Sequence, residues 1–183
     1  MTSSRWTALG TVICLVALGL WYSTRDSLVS NEVDLLAKVP EAEKRTNVEG
    51  EPQFVIEPVT VDGVTRHALL ARPHSRLIYT VDVPVDAWLE TAFAMKPETW
   101  DMPGDGAQFR IGISDGRLYE EVLRQYVNPK RGDRRWFSVR LDLSAYEGRQ
   151  VKLIFNTDPG PPEGTDRAND LSVGAEPRVY SKR

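Results

Sequence analysis

Residues 135–143 have the sequence RWFSVRLDL, in which apolar and polar side chains alternate along most of the stretch. Period-two alternation is typical of a β-strand that is buried on one face only. The apolar face of this segment carries Phe137, Val139, Leu141 and Leu143, and the other face carries Trp136, Ser138, Arg140 and Asp142. The stretch therefore predicts a strand with one face against a core and one face toward solvent.

Similar short strand patterns recur from Gln53 onward, separated by turn-forming pairs such as Asp62-Gly63 and Asn128-Pro129. Segment 118–127 (LYEEVLRQYV) also has helical spacing, so a helix is the alternative there. Because no helices alternate with the other strands, the pattern predicts a mainly β fold, an antiparallel β-sandwich over residues 53–183. The predicted strands are 54–61, 65–71, 76–83, 87–96, 107–114, 118–127, 135–143, 150–157 and 177–181.

The composition excludes several classes of protein. The chain has 183 residues with 23 basic and 26 acidic side chains, a formal net charge of −3. This balance argues against a nucleic-acid partner, because phosphate contacts need a basic surface. The single cysteine, Cys14, can form neither an intramolecular disulfide nor a cysteine-rich zinc site.

Residues 6–22 (WTALGTVICLVALGLWY) form a charge-free apolar segment bounded by Arg5 and Arg25. As a helix the segment would span about 25 Å, at the short end for a bilayer crossing. Trp6, Trp21 and Tyr22 flank it as membrane-interface residues do. The sequence therefore predicts a single N-terminal transmembrane helix, with the lipid bilayer as its partner.

The residues that follow this segment, LWYSTR, are bulky, whereas a signal-peptide cleavage site needs small residues, which favours an uncleaved signal anchor. The positive-inside tendency places the amino end in the cytoplasm. We expect residues 1–25 to form a cytoplasmic stub and transmembrane helix, 26–52 a stalk helix and linker, and 53–183 an exported domain. The expected location is a bacterial cell membrane, with the C-terminal domain in the periplasm or outside the cell.

Asp26 to Val39 (DSLVSNEVDLLAKV) places apolar residues at helical spacing before Pro40. Two interpretations of this predicted helix are open. In one it is a solvated stalk, and in the other its apolar stripe packs against an integral membrane protein complex. The residues predicted to bind such a partner are Leu28, Val29, Val33 and Leu36.

Three stretches carry a resemblance to a known family. They are 71–114 (ARPHSRLIYTVDVPVDAWLETAFAMKPETWDMPGDGAQFRIGIS), 134–158 (RRWFSVRLDLSAYEGRQVKLIFNTD) and 170–180 (DLSVGAEPRVY). Together they resemble the galactose-binding-like jelly rolls, related to carbohydrate-binding modules, of bacterial membrane-anchored and exported proteins. The resemblance implies a jelly-roll sandwich and, as one function, carbohydrate binding. Val173-Gly174-Ala175 stands where relatives often carry an aromatic residue.

Gly112 to Gly116 match the G-x-S-x-G pattern of hydrolases that use a serine nucleophile. That chemistry needs a histidine after the serine, whereas His67 and His74 both precede Ser114. The match is therefore interpreted as a hairpin turn. Two histidines without a third ligand make a poor zinc site. We predict no catalytic residue, no metal and no cofactor, and we do not expect an enzyme.

Two charged loops are candidates for binding. Residues 158–170 (DPGPPEGTDRAND) contain four carboxylates, and related jelly rolls sometimes hold a structural calcium; the alternative is a solvated loop. Residues 129–135 (PKRGDRR) concentrate four cations, which would suit acidic lipid headgroups or an acidic partner. The alternative there is a charged hairpin tip that keeps the end of a sheet soluble.

Aromatic side chains either stack on a sugar or fill the core of a sandwich. The candidates are Tyr79, Trp88, Trp100, Tyr119 and Trp136. Trp100 lies in a polar loop, PETWDMPGDG, and is the candidate glycan contact. Taken together, we expect a non-enzymatic structural or accessory subunit that packs against a larger membrane protein complex. The alternative is an envelope-anchored carbohydrate-binding module.

Overall fold

The computed structural model describes residues 32–160 and 169–181, which fold into two packed antiparallel sheets. Each of the predicted strands is present, which confirms the mainly β sandwich, and segment 118–127 is a strand rather than a helix. The described strands are β1 (Val33–Asp34), β2 (Glu43–Thr46), β3 (Ile56–Val61), β4 (Val64–Leu70), β5 (Ser75–Asp82), β6 (Ala87–Met95), β7 (Ala107–Ser114), β8 (Tyr119–Val127), β9 (Phe137–Asp142), β10 (Gln150–Pro159) and β11 (Ser172–Ser181).

The six-stranded sheet has the order β3-β4-β11-β6-β9, with β1 paired to the second half of β11. The five-stranded sheet has the order β2-β5-β10-β7-β8. The two inner faces are apolar and bury one another, and the Phe93 and Phe109 rings stack between them with centroids 4.6 Å apart. On β9 the apolar residues Phe137, Val139 and Leu141 alternate with exposed residues and pack against this core, as the pattern of residues 135–143 predicts.

Five connections between the two sheets leave from the same end of the sandwich. Registers such as Ser75 opposite Thr157 and Ala107 opposite Val127 show that the strand ends next to these connections are neighbours in the sheets. Each of these loops connects a strand of one sheet to a strand of the other, and they are 47–55, 71–74, 96–106, 128–136 and 160–171, the last described only at residues 160 and 169–171. We call this the long-loop end.

The helix predicted over Asp26 to Val39 is wrong for residues 32–39. These residues form β1 and then a series of turns, which lead to β2 in the other sheet. Leu35 is fully buried, and Leu36 and Val39 are nearly so, because they pack against the core between the two sheets. The apolar residues that have helical spacing in the sequence are buried here by a series of turns, because the segment runs from one sheet to the other against the core. The sandwich accordingly begins before residue 53.

Val33 and Leu36, two of the predicted partner contacts, therefore belong to the domain itself: Val33 packs against the core and Leu36 is buried in it. Within the described residues no helix is long and apolar enough to cross a membrane. Leu28, Val29, Trp6, Trp21 and Tyr22 lie outside the described residues, as does the predicted transmembrane segment.

A second apolar cluster lies on the outer face of the six-stranded sheet. It joins residues of the β3–β4 hairpin with small residues of β6 and β11, and Trp136 packs against it. The Trp136 indole N–H donates to the Val64 carbonyl oxygen at 2.9 Å, although two strands separate β4 from β9. The hairpin must therefore bend over this face. The buried members are Val59, Val61, Ala68, Leu70, Ala92, Ala94, Val173 and Ala175.

Truncating Leu35 tests whether the segment before β2 is part of the core. We expect Leu35→Ala to lower the free energy of unfolding by about 2–5 kcal/mol, because it removes a fully buried side chain. Glu41→Ala, an exposed position in the same segment, should change it by less than about 0.5 kcal/mol. Denaturant unfolding of the full chain measures both. Equal effects of the two substitutions would show that the segment is a stalk after all.

Candidate functional site

A cleft of about 670 Å³ opens between four loops of the long-loop end. We call it the loop cleft. Its walls offer carboxylates, amides and a guanidinium, together with short apolar stretches. The lining residues used below are Glu51, Arg72, Glu98, Met102, Asn169 and Leu171. Such a mixture can hydrogen-bond hydroxyl groups and also contact the less polar face of a ligand.

Two loops that are distant in sequence are fastened together beside Arg72. The Gln53 side chain accepts a hydrogen bond from the Arg72 backbone N–H at 2.7 Å and donates one to the Arg72 carbonyl at 3.1 Å. The Arg72 guanidinium also forms an ion pair with Glu51. These contacts hold the Arg72 side chain in place at the wall of the loop cleft.

Lys96 forms an ion pair with Glu98, a residue that lines the loop cleft. Its ammonium lies 2.7 Å from the Glu98 carboxylate and 2.9 Å from the Glu57 carboxylate, and its side chain is only 16% exposed. Partial burial by itself raises the pKa of Glu98, but the hydrogen bond and charge of Lys96 outweigh burial, so the pKa lies below its ordinary value. Burial likewise lowers the pKa of Lys96, and its two carboxylate partners outweigh that effect and raise it. Both groups are thus held in their charged forms.

Trp100, the candidate glycan contact, is half-buried beside the loop cleft. A 3-10 turn at Pro97–Thr99 brings it back onto the sandwich, where its indole N–H donates to the Met95 carbonyl at 2.9 Å. The ring packs against both apolar clusters. Thr99, Met102 and Asn169 line both the loop cleft and the small pocket that contains Trp100. Trp100 therefore lies beside the loop cleft rather than in its lining, and its own exposed surface is limited.

The basic loop 129–135 is ordered by its own side chains. Asn128 caps a 3-10 turn by accepting from the Lys130 N–H, and Asp133 accepts from the Asn128 N–H at 3.0 Å. Three of its arginines lie over aromatic rings. The pairs are Arg131 over Tyr126, Arg134 over Trp100 and Arg135 over Phe137, with 4.9–5.7 Å from guanidinium carbon to ring centroid. Three of the four cations of this loop thus pack on aromatic rings of the domain. The contact with Trp100 places Arg134 near the loop cleft.

The acidic loop is only partly described, since residues 161–168 lie outside the described part. Asp158 pairs with Arg110, at 2.6 Å, and with His74, at 3.3 Å, while Asp170 is buried. Within the described residues no group of three or more His, Cys, Asp or Glu side chains is arranged to hold a metal ion. His67 lies away from His74, on a strand of the other sheet.

The five aromatic candidates are not brought together. Tyr79 is buried between the sheets, Tyr119 lies on Gly112 at the outer face of the five-stranded sheet, and Trp88 lies on the six-stranded sheet. Gly112 to Gly116 form the β7–β8 hairpin, as predicted, with the Asp115 carboxylate accepting from the backbone N–H groups of Arg117 and Leu118. The Tyr119 ring lies directly over Gly112, so a methyl group there would require the ring to move.

Sequence reasoning singled out Trp100, whose role as a glycan contact stays a prediction, and missed the polar walls of the loop cleft. Glu51, Arg72 and Asn169 come from three separate loops, and each of them is an ordinary polar loop residue in the sequence. The apolar residues and turn signals predict the strands but not which loops meet. Val173 and Ala175, at the position where relatives often carry an aromatic residue, are buried under the β3–β4 hairpin.

No family model matches the sequence. An uncharacterised protein of Archaeoglobus fulgidus is 31% identical over 153 residues, which cover 81% of this chain and 36% of that protein. The chain thus spans about a third of the length of this relative.

Solved structures similar to this chain include two carbohydrate-binding modules of Clostridium perfringens. The CBM51 module from Clostridium perfringens GH95, in complex with methyl-galactose, has a TM-score of 0.52 and 14% identity, covering 81% of this chain and 99% of that one. A structure of the CBM51-2 and INT domains of Clostridium perfringens ZmpB, in complex with GlcNAc, has a TM-score of 0.50 and 11% identity, covering 82% and 32%. The chain therefore has the galactose-binding-like jelly-roll fold of carbohydrate-binding modules, which confirms the resemblance seen in the sequence.

Replacing Lys96 tests the charge arrangement at the cleft wall. In Lys96→Met the pKa of Glu98 should rise, because partial burial then acts without the compensating ammonium. In the native protein the pKa of Glu98 is depressed, so its pairing contributes stability above the ordinary carboxyl pKa and is lost as the pH falls through the depressed value. Carboxyl carbon NMR titration of the full chain measures the shift, with Arg149→Met as the control. An unchanged Glu98 titration in Lys96→Met would contradict the pairing.

Proposed function

We propose that this chain is a non-catalytic carbohydrate-binding module that takes its glycan in the loop cleft. The observation that carries the proposal is the cleft itself, a polar opening at the end of a sandwich whose fold matches that of glycan-binding modules. Loops held by a rigid scaffold are where binding residues concentrate. Fold alone does not define function, so the chemistry of the cleft has to support the proposal.

The chemistry of the loop cleft suits a sugar. Hydroxyl groups both donate and accept hydrogen bonds, and the cleft pairs acceptors, Glu51 and Glu98, with the donor Arg72. Charged partners strengthen such hydrogen bonds. Met102, 44% exposed, and Leu171 offer apolar surface for the carbon-bound hydrogens of a pyranose ring. In this proposal Trp100 fixes the loop that carries Glu98 and Met102.

Membrane anchoring through residues 6–22 stays part of the proposal. Its support is the charge-free apolar segment with aromatic residues at both ends. The chain leads into β1 at Glu32, and β1 pairs with Arg178 and Val179 in the half of β11 that lies away from the long loops. A role as accessory subunit of a membrane complex has less support, because Val33 and Leu36 pack into the sandwich.

Binding of the full chain to a glycan array tests the main proposal. We expect retention on at least one neutral glycan, weakened about tenfold or more by Arg72→Ala and by Glu98→Gln, because each change removes a charge-assisted hydrogen bond. Arg149→Ala, at the opposite end of the sandwich, is the matched control and should bind as the native chain does. Absence of binding to every glycan, or native binding by both variants, would rule the proposal out.

Alkaline carbonate extraction of membranes tests the anchor. The native chain should stay in the membrane pellet, whereas Leu15→Arg combined with Leu18→Arg should release it. Each central arginine costs insertion about 2.5–3.5 kcal/mol. Leu15→Ile combined with Leu18→Ile, which keeps the segment apolar, is the control and should remain in the pellet. Release of the native chain into the supernatant would contradict a membrane-spanning anchor.

A further inference from the structure

A second cleft, of about 840 Å³, is lined by the β3–β4 hairpin, the segment before β2 and strands β6, β9 and β11 of the six-stranded sheet. We call it the sheet cleft. The hairpin lines it with Ile56, Arg66 and His67, and the segment before β2 lines it with residues that include Asp34 and Leu36. Strands β6, β9 and β11 contribute charged side chains to it. Rigid strands therefore carry the polar groups of this cleft.

Charged hydrogen bonds run across the sheet cleft from strand to strand. The Glu90 carboxylate accepts from the Arg178 guanidinium at 2.8 Å and from the Tyr180 hydroxyl at 2.6 Å, and Arg178 also reaches Glu32 at 3.2 Å. Arg66 is paired with Glu176 at 3.2 Å. Hydrogen bonds from Tyr180 and Arg178 hold the pKa of Glu90 below its ordinary value. Glu90 is thus held in its charged form, and these ion pairs link β11 to β6 and to the segment before β1.

Arg140 differs from Arg66 and Arg178, the other two arginines that line the sheet cleft. Its guanidinium stacks on the Trp88 ring, 4.3 Å from guanidinium carbon to ring centroid, and lies 3.7 Å from Glu90, beyond hydrogen-bond distance. Among the described residues it has no hydrogen-bond partner, and its side chain is 41% exposed. A guanidinium carries five N–H donors in a planar fork. Arg140 is therefore oriented by Trp88 while its donors remain available to a ligand in the cleft.

We propose that the sheet cleft is a second binding site, for a neutral, hydroxyl-rich chain such as an uncharged oligosaccharide; this inference rests on the proposed function of the domain. Arg140 on β9 donates hydrogen bonds to ligand oxygens. Glu90 on β6 and Arg178 on β11, the neighbouring strands, form hydrogen bonds with hydroxyl groups of the ligand. Strand neighbours are about 4.8 Å apart, so these groups contact successive parts of an extended ligand.

Charge balance selects a neutral ligand. Four carboxylates and three guanidiniums line the sheet cleft, so a formal charge of −1 is left with His67 neutral. An anionic sugar would face the carboxylates of Glu32, Asp34 and Glu90, and a cationic ligand would have to displace arginines from their partners. A hydroxyl group donates to a carboxylate and accepts from a guanidinium without separating any pair. The sheet cleft therefore accommodates a neutral polyol and disfavours both anionic and cationic ligands.

Amide, indole and arginine Nε NMR signals of the isotope-labelled full chain provide the test. The probes are cellotetraose, β-1,4-galactotetraose and, as the charged comparison, tetragalacturonate. Any detergent present must lack a sugar headgroup. We expect a neutral tetrasaccharide to shift the signals of Trp88, Arg140 and Arg178, with tetragalacturonate shifting them at least about tenfold more weakly. The shifts should persist in the loop-cleft variant Arg72→Ala.

Arg140→Ala should weaken the neutral ligand about tenfold. Arg140→Lys should fail to restore binding, because an ammonium keeps the charge and loses the planar fork. Arg124→Ala, on the outer face of the other sheet, is the matched control. Thermal unfolding of each variant confirms that it is folded.

The outcomes separate the two proposals. Shifts confined to the loop cleft would overturn the second site and leave the proposed function standing. Equal binding of tetragalacturonate in the sheet cleft would overturn the neutral ligand class. Binding at the sheet cleft alone would support the second site and contradict the loop cleft, and no shift in either cleft with any probe would overturn both.

Discussion

Burial of two apolar sheet faces against each other is the constraint on which the rest of this structure depends. Each sheet is apolar on its inner side, and rings such as Phe93 and Phe109 stack across the interface. The described domain contains no cysteine, so packing stabilises it without the disulfide bonds that many small exported domains have. To keep both faces covered, the chain passes between the sheets repeatedly, and the five loops of the long-loop end all make that crossing. The loop cleft is a direct consequence of this topology.

A β-bulge in β11 determines what the outer face of the six-stranded sheet presents. Ala175 lies opposite Ala92 and Arg178 opposite Glu90, so β11 has one residue more than β6 between these pairs. Without that extra residue, alternation would turn Arg178 into the core. The bulge therefore reverses the parity of β11 and places Arg178 and Tyr180 outward, with Val179 buried. The Thr91 hydroxyl donates to the Ala175 carbonyl at the irregularity. Pro177, which lacks an N–H group, fits a position where ladder pairing is interrupted.

The strands that alternate strongly, such as 137–142, could be predicted from the sequence because each buries one face. Three pieces of sheet were missed for physical reasons. β2 (EKRT) is an exposed edge strand with no apolar residue, β1 has two residues, and the first half of β11 contains Gly174 and precedes the bulge. Leu36 and Val39 have helical spacing but pack as turns against the core. Trp100 was identifiable as an aromatic residue in a polar loop, whereas the partners of Arg72 and Arg140 depend on contacts between distant segments.

The two clefts differ in how firmly the fold fixes them. The walls of the loop cleft come from loops, which tolerate substitution and insertion more easily than strands do. The sheet cleft takes Glu90 from β6, Arg140 from β9 and Arg178 from β11, so strand spacing and the bulge set the distances between these groups. Groups carried on strands are positioned more precisely than groups carried on loops. Substitutions that alter the proposed ligand preference are therefore tolerated most easily in the loop cleft. Moving Glu90, Arg140 and Arg178 relative to one another would require a change in the register of the sheet itself.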